Sequence, residues 1–212
     1  MTRPITLWSD RVEGAFVAAF PLLLAFGVPL IPVVGDYADH AAAALATERA
    51  SLWFDGHLVS AIAFGFGIVA ATILCRRVAE AGSVLLARVA LPMMAAGAAL
   101  HMAGLGADGI GPLAVAEAGG DPRLFFDGSG GLVPMVFIAG AALFGVGQLV
   151  LVAGLRPLTG ARQGRLLMAA AVVFSAAEAI PSGWGLYLVA LAALALYLPL
   201  ARMLWKEAQV PG

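Results

Sequence analysis

Apolar residues run along this chain in long unbroken stretches and do not alternate with polar ones. A bilayer core of about 30 Å needs roughly 20 apolar residues to cross it as a helix. Six stretches fit, and they predict helices over 14–34, 54–75, 87–106, 132–155, 166–183 and 186–204. Glu178 and Pro181 interrupt the fifth. The short alternating segments of a membrane β-barrel are missing from the pattern. The expected fold class is therefore all-α, a polytopic transmembrane helical bundle of six spans in one domain, 1–212. The first stretch follows Arg3 and Arg11 and contains Pro21, Pro29 and Pro32. Its length, and the lack of a small-x-small site at its end, favour a retained helix over a cleaved signal peptide.

The connections between these stretches alternate in character, which gives an orientation. With the N-terminus in the cytoplasm, Arg3, Arg11, Arg76, Arg77, Arg88, Arg156, Arg162, Arg165, Arg202 and Lys206 lie inside. Only Arg49 and Arg123 lie outside. Ten against two follows the positive-inside bias and places both termini in the cytoplasm. Composition agrees with a lipid solvent: of 212 residues 62% are hydrophobic and 12% charged, with a mean hydropathy of +0.96. A soluble domain carries about twice that share of charge. The net charge of −1 argues against a nucleic-acid partner, which requires a basic surface. A single cysteine, Cys75, excludes an intrachain disulfide and a cysteine-based zinc cluster. The preference for Arg over Lys and the abundance of Ala point to a bacterial chain, hence a multi-pass protein of the cytoplasmic (inner or plasma) membrane.

Two outer connections are long. Residues 40–51, HAAAALATERAS, predict a short Ala-rich surface helix. Residues 106–131 hold eight glycines and two prolines and predict irregular chain. Trp53-Phe54-Asp55-Gly56 precedes span two, and Phe125-Phe126-Asp127-Gly128 precedes span four. This echo suggests repeated hairpin units. Asp55 and Asp127 read as helix caps, with the aromatic residues as interfacial anchors. The helix-two and helix-four glycines Gly65, Gly67, Gly140, Gly145 and Gly147 could serve a homodimer interface or a membrane partner subunit.

The buried ionisable groups carry the candidate chemistry. At 1.5 Å per residue, His101 and Glu178 reach about the same depth, roughly 20 Å above their cytoplasmic arginines. A carboxylate at that depth faces the bundle interior and seeks a partner. Gly97, His101, Gly104 and Asp108 share one face of helix three, while Ser175 and Ser182 flank Glu178 on helix five. His57 falls higher, by about 9 Å. The expected ligand or proton site is thus His101, Glu178, His57 and Ser175. A structural pairing of His101 with Glu178 explains the same pattern. Gln148 reads as an interhelical hydrogen bond.

No HExxH, CxxCH, GxSxG or P-loop occurs, and no Gly-rich dinucleotide fingerprint is followed by a suitable acid, so no catalytic residue is assigned and an enzyme is the less favoured class. No cofactor is the first expectation; haem or a metal ion on the histidines is the alternative. Three classes fit: an accessory or small-ligand-binding membrane protein, a small proton-coupled and dimeric transporter, and a haem- or metal-binding membrane oxidoreductase, in that order.

The outer Ala-rich stretch AAAALATERASLWF, the Arg-bounded turn after span two and the basic turn LRPLTGARQGRLL before span five resemble an uncharacterised group of bacterial six-span integral membrane proteins. The resemblance covers most of the chain. It implies architecture and carries no activity.

Overall fold

A computed structural model describes residues 9–49, 51–129 and 131–207. Arg3, used above for orientation, lies outside these residues. The described residues contain helices and no strand. In chain order the helices are α1 (Asp10–Gly27), α2 (His40–Arg49), α3 (Trp53–Glu80), α4 (Val84–Glu117), α5 (Arg123–Gly128), α6 (Leu132–Gly154), α7 (Ala161–Ala177) and α8 (Gly183–Glu207), with a 3₁₀ turn, Val28–Leu30, extending α1. Helices satisfy their own backbone polar groups, which lipid cannot do. Five of the segments, Asp10–Leu30 and helices α3, α4, α6 and α8, are long and apolar enough to cross a membrane. Such a chain is a multi-pass membrane protein. The 17-residue α7 is shorter, and Arg162 and Arg165 fall in its first turns.

Six helices close a ring. Each packs on its chain neighbour, α1 on α3, α3 on α4, α4 on α6, α6 on α7 and α7 on α8, and α8 returns to α1. Large apolar side chains such as Phe26, Leu132, Met135, Ile138 and Leu191 point outward. Such a surface suits lipid and not water.

The ring axis is filled by one aromatic or imidazole ring from each helix: Phe20, Phe64, His101, Phe144, Phe174 and Tyr197. Phe20 meets Tyr197 edge-on at 4.9 Å, and Phe144 lies within 5.5–6.2 Å of Phe20, Phe64, His101 and Phe174. Tyr197 donates its hydroxyl hydrogen to Gln148 Oε1 at 2.9 Å, so Gln148 does bridge helices.

Below this layer, acids of α1 meet arginines of α3. Glu13, fully buried, pairs with Arg76 and, at 3.0 Å, with Arg77, and Asp10 also pairs with Arg77. Trp205 Nε1 donates to Arg11 O and ties α8 to the same end. Gly82, at φ +92°, takes the left-handed position beyond the end of α3, and Ser83 N–H returns to Val78 O.

The other end departs from expectation in three ways. Residues 106–117, expected to be irregular, continue α4, with Pro112 buried and Gly109 and Gly111 packed against His57 and Phe125. At 34 residues α4 is about 51 Å long, more than a bilayer core, and its end carries α5 and α2 as a cap. The two aromatic-Asp-Gly motifs are not equivalent: one opens α3, the other closes α5. Trp53, expected at the lipid interface, is 1% exposed and donates from Nε1 to Asp108 O.

Neither aspartate caps a spanning helix. The N-cap of α3 is Leu52 and that of α6 is Gly131, and neither end has a side-chain cap bond. Asp55 lies in the first turn of α3, where its charge favours the helix dipole. Asp127 lies in α5 and pairs elsewhere.

Helices α4 and α6 make backbone contact at Gly97 and Gly140. A Cβ on Gly97 would meet Gly140 O at 2.8 Å, and one on Gly140 would meet His101 Nδ1 at 2.8 Å. Gly145 and Gly147 likewise face Ser175 and Met94, and Gly67 faces Phe20 and Phe144. These glycines spend their open sides on the chain's own helices. Gly97→Leu should therefore force the seam apart and cost about 3 kcal/mol, read as a lower melting point in detergent. Gly106→Ala, with open space around it, should not destabilise. Equal melting points for the two variants would refute the seam.

Candidate functional site

Above the aromatic layer the ring encloses a cavity of about 350 Å³. Its walls include Leu24 and Val28 of the first span, Ser60 and Phe64 of α3, Leu105 of α4, Phe137 and Ala141 of α6, and Val189 of α8. The cap contributes His40, Phe125, Phe126 and Ser129. Among the described residues no Lys or Arg lines it.

All three histidines of the chain line this cavity, each beside a carboxylate. His40 Nδ1 lies 2.7 Å from Asp127 Oδ1 in the exposed cap. His57 Nε2 lies 3.2 Å from Asp108 Oδ2. His101 Nε2 lies 3.0 Å from Glu178 Oε1, with both side chains under a tenth exposed. The sequence placed His101 and Glu178 at one depth, and the structure brings them together.

His57 and His101 are held by the same device. Each Nδ1 donates to the carbonyl one turn earlier on its own helix: His57 to Trp53 O at 2.7 Å, His101 to Gly97 O at 2.9 Å. A carbonyl only accepts, so Nδ1 carries a hydrogen in both rings. In a neutral imidazole Nε2 is then a bare lone pair facing an acid. A carboxylate and a lone pair repel, so each pair needs one further proton, on Nε2 or on the acid. The rings are also fixed by stacking, His101 flat on Phe64 at 4.2 Å and His57 on Trp53 at 4.6 Å.

The contact from His101 engages one oxygen of Glu178. Nε2 lies 3.0 Å from Oε1, and among the described residues Oε2 has no hydrogen-bond partner, nor has Ser60 Oγ. A buried carboxyl in this state has unused acceptor capacity at the cavity wall. Glu178 stands just past Ala177, where α7 ends, and α7 packs between α6 and α8. From 178 to 182 the wall is a non-helical turn. That turn is tied to the segment before α2 by Gly183 N–H to Val34 O at 2.8 Å and Tyr37 N–H to Pro181 O at 3.1 Å.

Ser175, expected in the site, is not brought into the cavity. Its hydroxyl donates to Ala171 O on its own helix and packs over Gly145. Sequence reasoning missed Asp108 as the partner of His57, although its two-turn spacing from His101 was visible. It also missed Ser60, Tyr37, the pairing of His40 with Asp127, and the phenylalanine walls. Nothing local marked those contacts across the fold. Burial, and then the charge of Asp108, hold the Tyr37 phenol well above its ordinary range, so it remains a donor.

With each Nδ1–H held by a carbonyl, Nε2 is the one nitrogen of His57 and of His101 open to a metal or haem iron, and there each ring already faces a carboxylate. Among the described residues no group of three or more His, Cys, Asp or Glu converges as a metal site.

Two measurements follow from these pairs. Glu178→Gln and His101→Gln should each lower the melting point in detergent, and the double variant should cost little more than the worse single. A coupling of about 1–3 kcal/mol is expected; fully additive losses would rule the pairing out. In the cap, the hydrogen bond from His40, assisted by Arg123, holds Asp127 below the usual carboxylate range. The contact therefore contributes fully above that range and is lost as pH falls through the lowered value. Carboxyl titration by NMR should show His40→Ala raising the Asp127 pKa; an unchanged value would mean the contact is not formed in solution.

Comparison of the chain with protein-family models, with curated proteins and with solved structures finds no match. The chemistry of the cavity alone carries the functional reading.

Proposed function

We propose that this chain is a six-span protein of the bacterial cytoplasmic membrane, with both termini in the cytoplasm, and that it binds a small ligand in a cavity open to the outside. The ten-to-two distribution of basic residues supports the orientation. The place of α7 in the closed ring supports its counting as a span, despite its 17 residues. The likeness to bacterial six-span membrane proteins belongs to the same reading. In this orientation the cap faces outward and the Glu13–Arg76–Arg77 cluster faces the cytoplasm.

One observation carries the ligand-binding reading. The cavity is mostly apolar, and a buried carboxyl group with one oxygen, Glu178 Oε2, unpartnered among the described residues lies in its wall. Concave, mainly apolar sites with a few convergent polar groups are the usual form of small-ligand sites. The role is that of an accessory or ligand-presenting membrane protein.

A proton-coupled transporter is the second reading, favoured by the buried His101–Glu178 pair. Such pairs mark proton relays in membrane proteins. The aromatic layer beneath the cavity closes the path to the cytoplasmic end, so transport requires a second conformation.

The test uses a single thiol. In a Cys75→Ala background, Ala141→Cys places a reactive sulfur on the α6 wall of the cavity. A membrane-impermeant thiol reagent added outside intact cells should modify it, and the same reagent confined to the cytoplasmic side of inverted vesicles should not. Absence of labelling from outside would sink the outward-open reading.

A further inference from the structure

We infer that the cavity takes an amphiphilic organic cation, an amine or quaternary ammonium with an apolar body, in exchange for the proton held between His101 and Glu178. This rests on the cavity being a ligand site and names the class of ligand.

The lining determines the sign of the charge. Two acids, Asp108 and Glu178, line the cavity, and among the described residues no Lys or Arg does. An anion would meet two carboxyl groups and no fixed cation. The Glu178 side chain is 5% exposed; Oε1 faces His101 Nε2 at 3.0 Å, and Oε2 has no hydrogen-bond partner among the described residues. The wall therefore offers surplus acceptors, which an N–H donor or a positive charge would satisfy. Asp108, 16% exposed and nearer the cap, shares its proton with His57 and adds carboxyl oxygens along the way in.

The rest of the lining determines the body. Phe64, Phe125, Phe126 and Phe137 present rings to the same space, and ring faces attract cations, more so where water is excluded. Leu24, Leu105 and Val189 add apolar surface. A small inorganic cation would find too few oxygen ligands here, because calcium takes about six to eight. An apolar cation uses both the acid and the rings.

Exchange follows from charge balance. With Nδ1–H committed to Gly97 O, one proton lies between Nε2 and the Glu178 carboxyl before a cation enters, and the pair is neutral overall. Adding a cation to that state would leave a net positive charge in a low-dielectric pocket. When the proton departs to water as the cation enters, the carboxylate faces the cation and His101 is left as neutral imidazole. One positive charge replaces another, and no bond other than that to the proton is broken.

The test uses purified full-length protein in an uncharged detergent with little buffer. Benzyltrimethylammonium is the probe; benzyl alcohol and phenylmethanesulfonate carry the same ring with a neutral or a negative head. Calorimetry should show the cation binding at least tenfold more tightly than the alcohol, with no binding of the sulfonate. A pH indicator should report release of about one proton per bound cation near neutral pH. Glu178→Gln should weaken the cation tenfold or more and abolish the release, and Glu178→Asp should retain both in part.

Equal affinities for cation and alcohol, or cation binding without acidification in the unmutated protein, would overturn the proposal. Both of those readings come from the unmutated protein, so they decide the matter even if the Gln variant does not fold. Thiol protection at Ala141→Cys separates the two levels of inference. Labelling blocked by benzyl alcohol and not by the cation discards the cation and keeps the ligand site. Failure to label at all discards the site with it.

Discussion

Six rings packed across the axis of the bundle divide this protein into two chemical compartments. Phe20, Phe64, His101, Phe144, Phe174 and Tyr197 come one from each helix of the ring. Lipid tails are as apolar as the helices, so the hydrophobic effect does not hold a bundle together in a bilayer; close packing does. The aromatic layer supplies that packing where all six helices meet. Below it, Glu13 is neutralised by two guanidinium groups. Above it, His101 is both a member of the layer and the base of the cavity. The same imidazole thus serves the packing and the site, which is why its orientation is fixed from three directions: Gly97 O, the Phe64 face and Glu178.

That fixation has a chemical result. An imidazole free to rotate or change tautomer can satisfy an adjacent acid in several ways. His57 and His101 have given up that freedom by donating Nδ1–H to a carbonyl one helical turn back. What remains is a single nitrogen aimed at a single acid, with room for one proton between them. Two such units on neighbouring helices, one near the cap and one at the aromatic layer, place the titratable chemistry of the cavity at two depths.

The long apolar stretches made the bundle legible, because length and hydropathy are local properties. Five predicted spans appear as helices long enough to cross, and the short Ala-rich helix at 40–49 also appears. The depth argument brought His101 to Glu178, since rise per residue is constant in a helix. Failures came where packing overrides local preference. Eight glycines between 106 and 131 read as loop, yet several glycines of α4 and its extension are places where side chains approach: Phe137 at Gly104, His57 at Gly109, Phe125 at Gly111. A glycine needed for contact and a glycine needed for a turn look alike in sequence. The paired aromatic-Asp-Gly motifs misled for a similar reason. Their first copy faces α4 through Trp53 and their second faces α2 through Asp127, and neither partner is near in sequence. Ser175 had the right spacing from Glu178, but its hydroxyl bonded its own helix.

The glycine seam between α4 and α6 has a mechanical meaning. Two backbones in contact cannot slide past one another or roll apart without losing the fit, so α4 and α6 behave as one stiff plate. Helix α3 adds to that plate, seating His57 against Gly109 and stacking Phe64 on His101. The α7–α8 hairpin is held differently: its turn is pinned at the cap end by hydrogen bonds to Val34 O and from Tyr37 N–H. Tyr197 bonded to Gln148, Trp205 bonded to Arg11 O and Ser175 seated over Gly145 fix the rest of the hairpin to α6 and α1. Glu178 stands at the turn of that hairpin and His101 on the plate, so their contact joins the two halves of the ring.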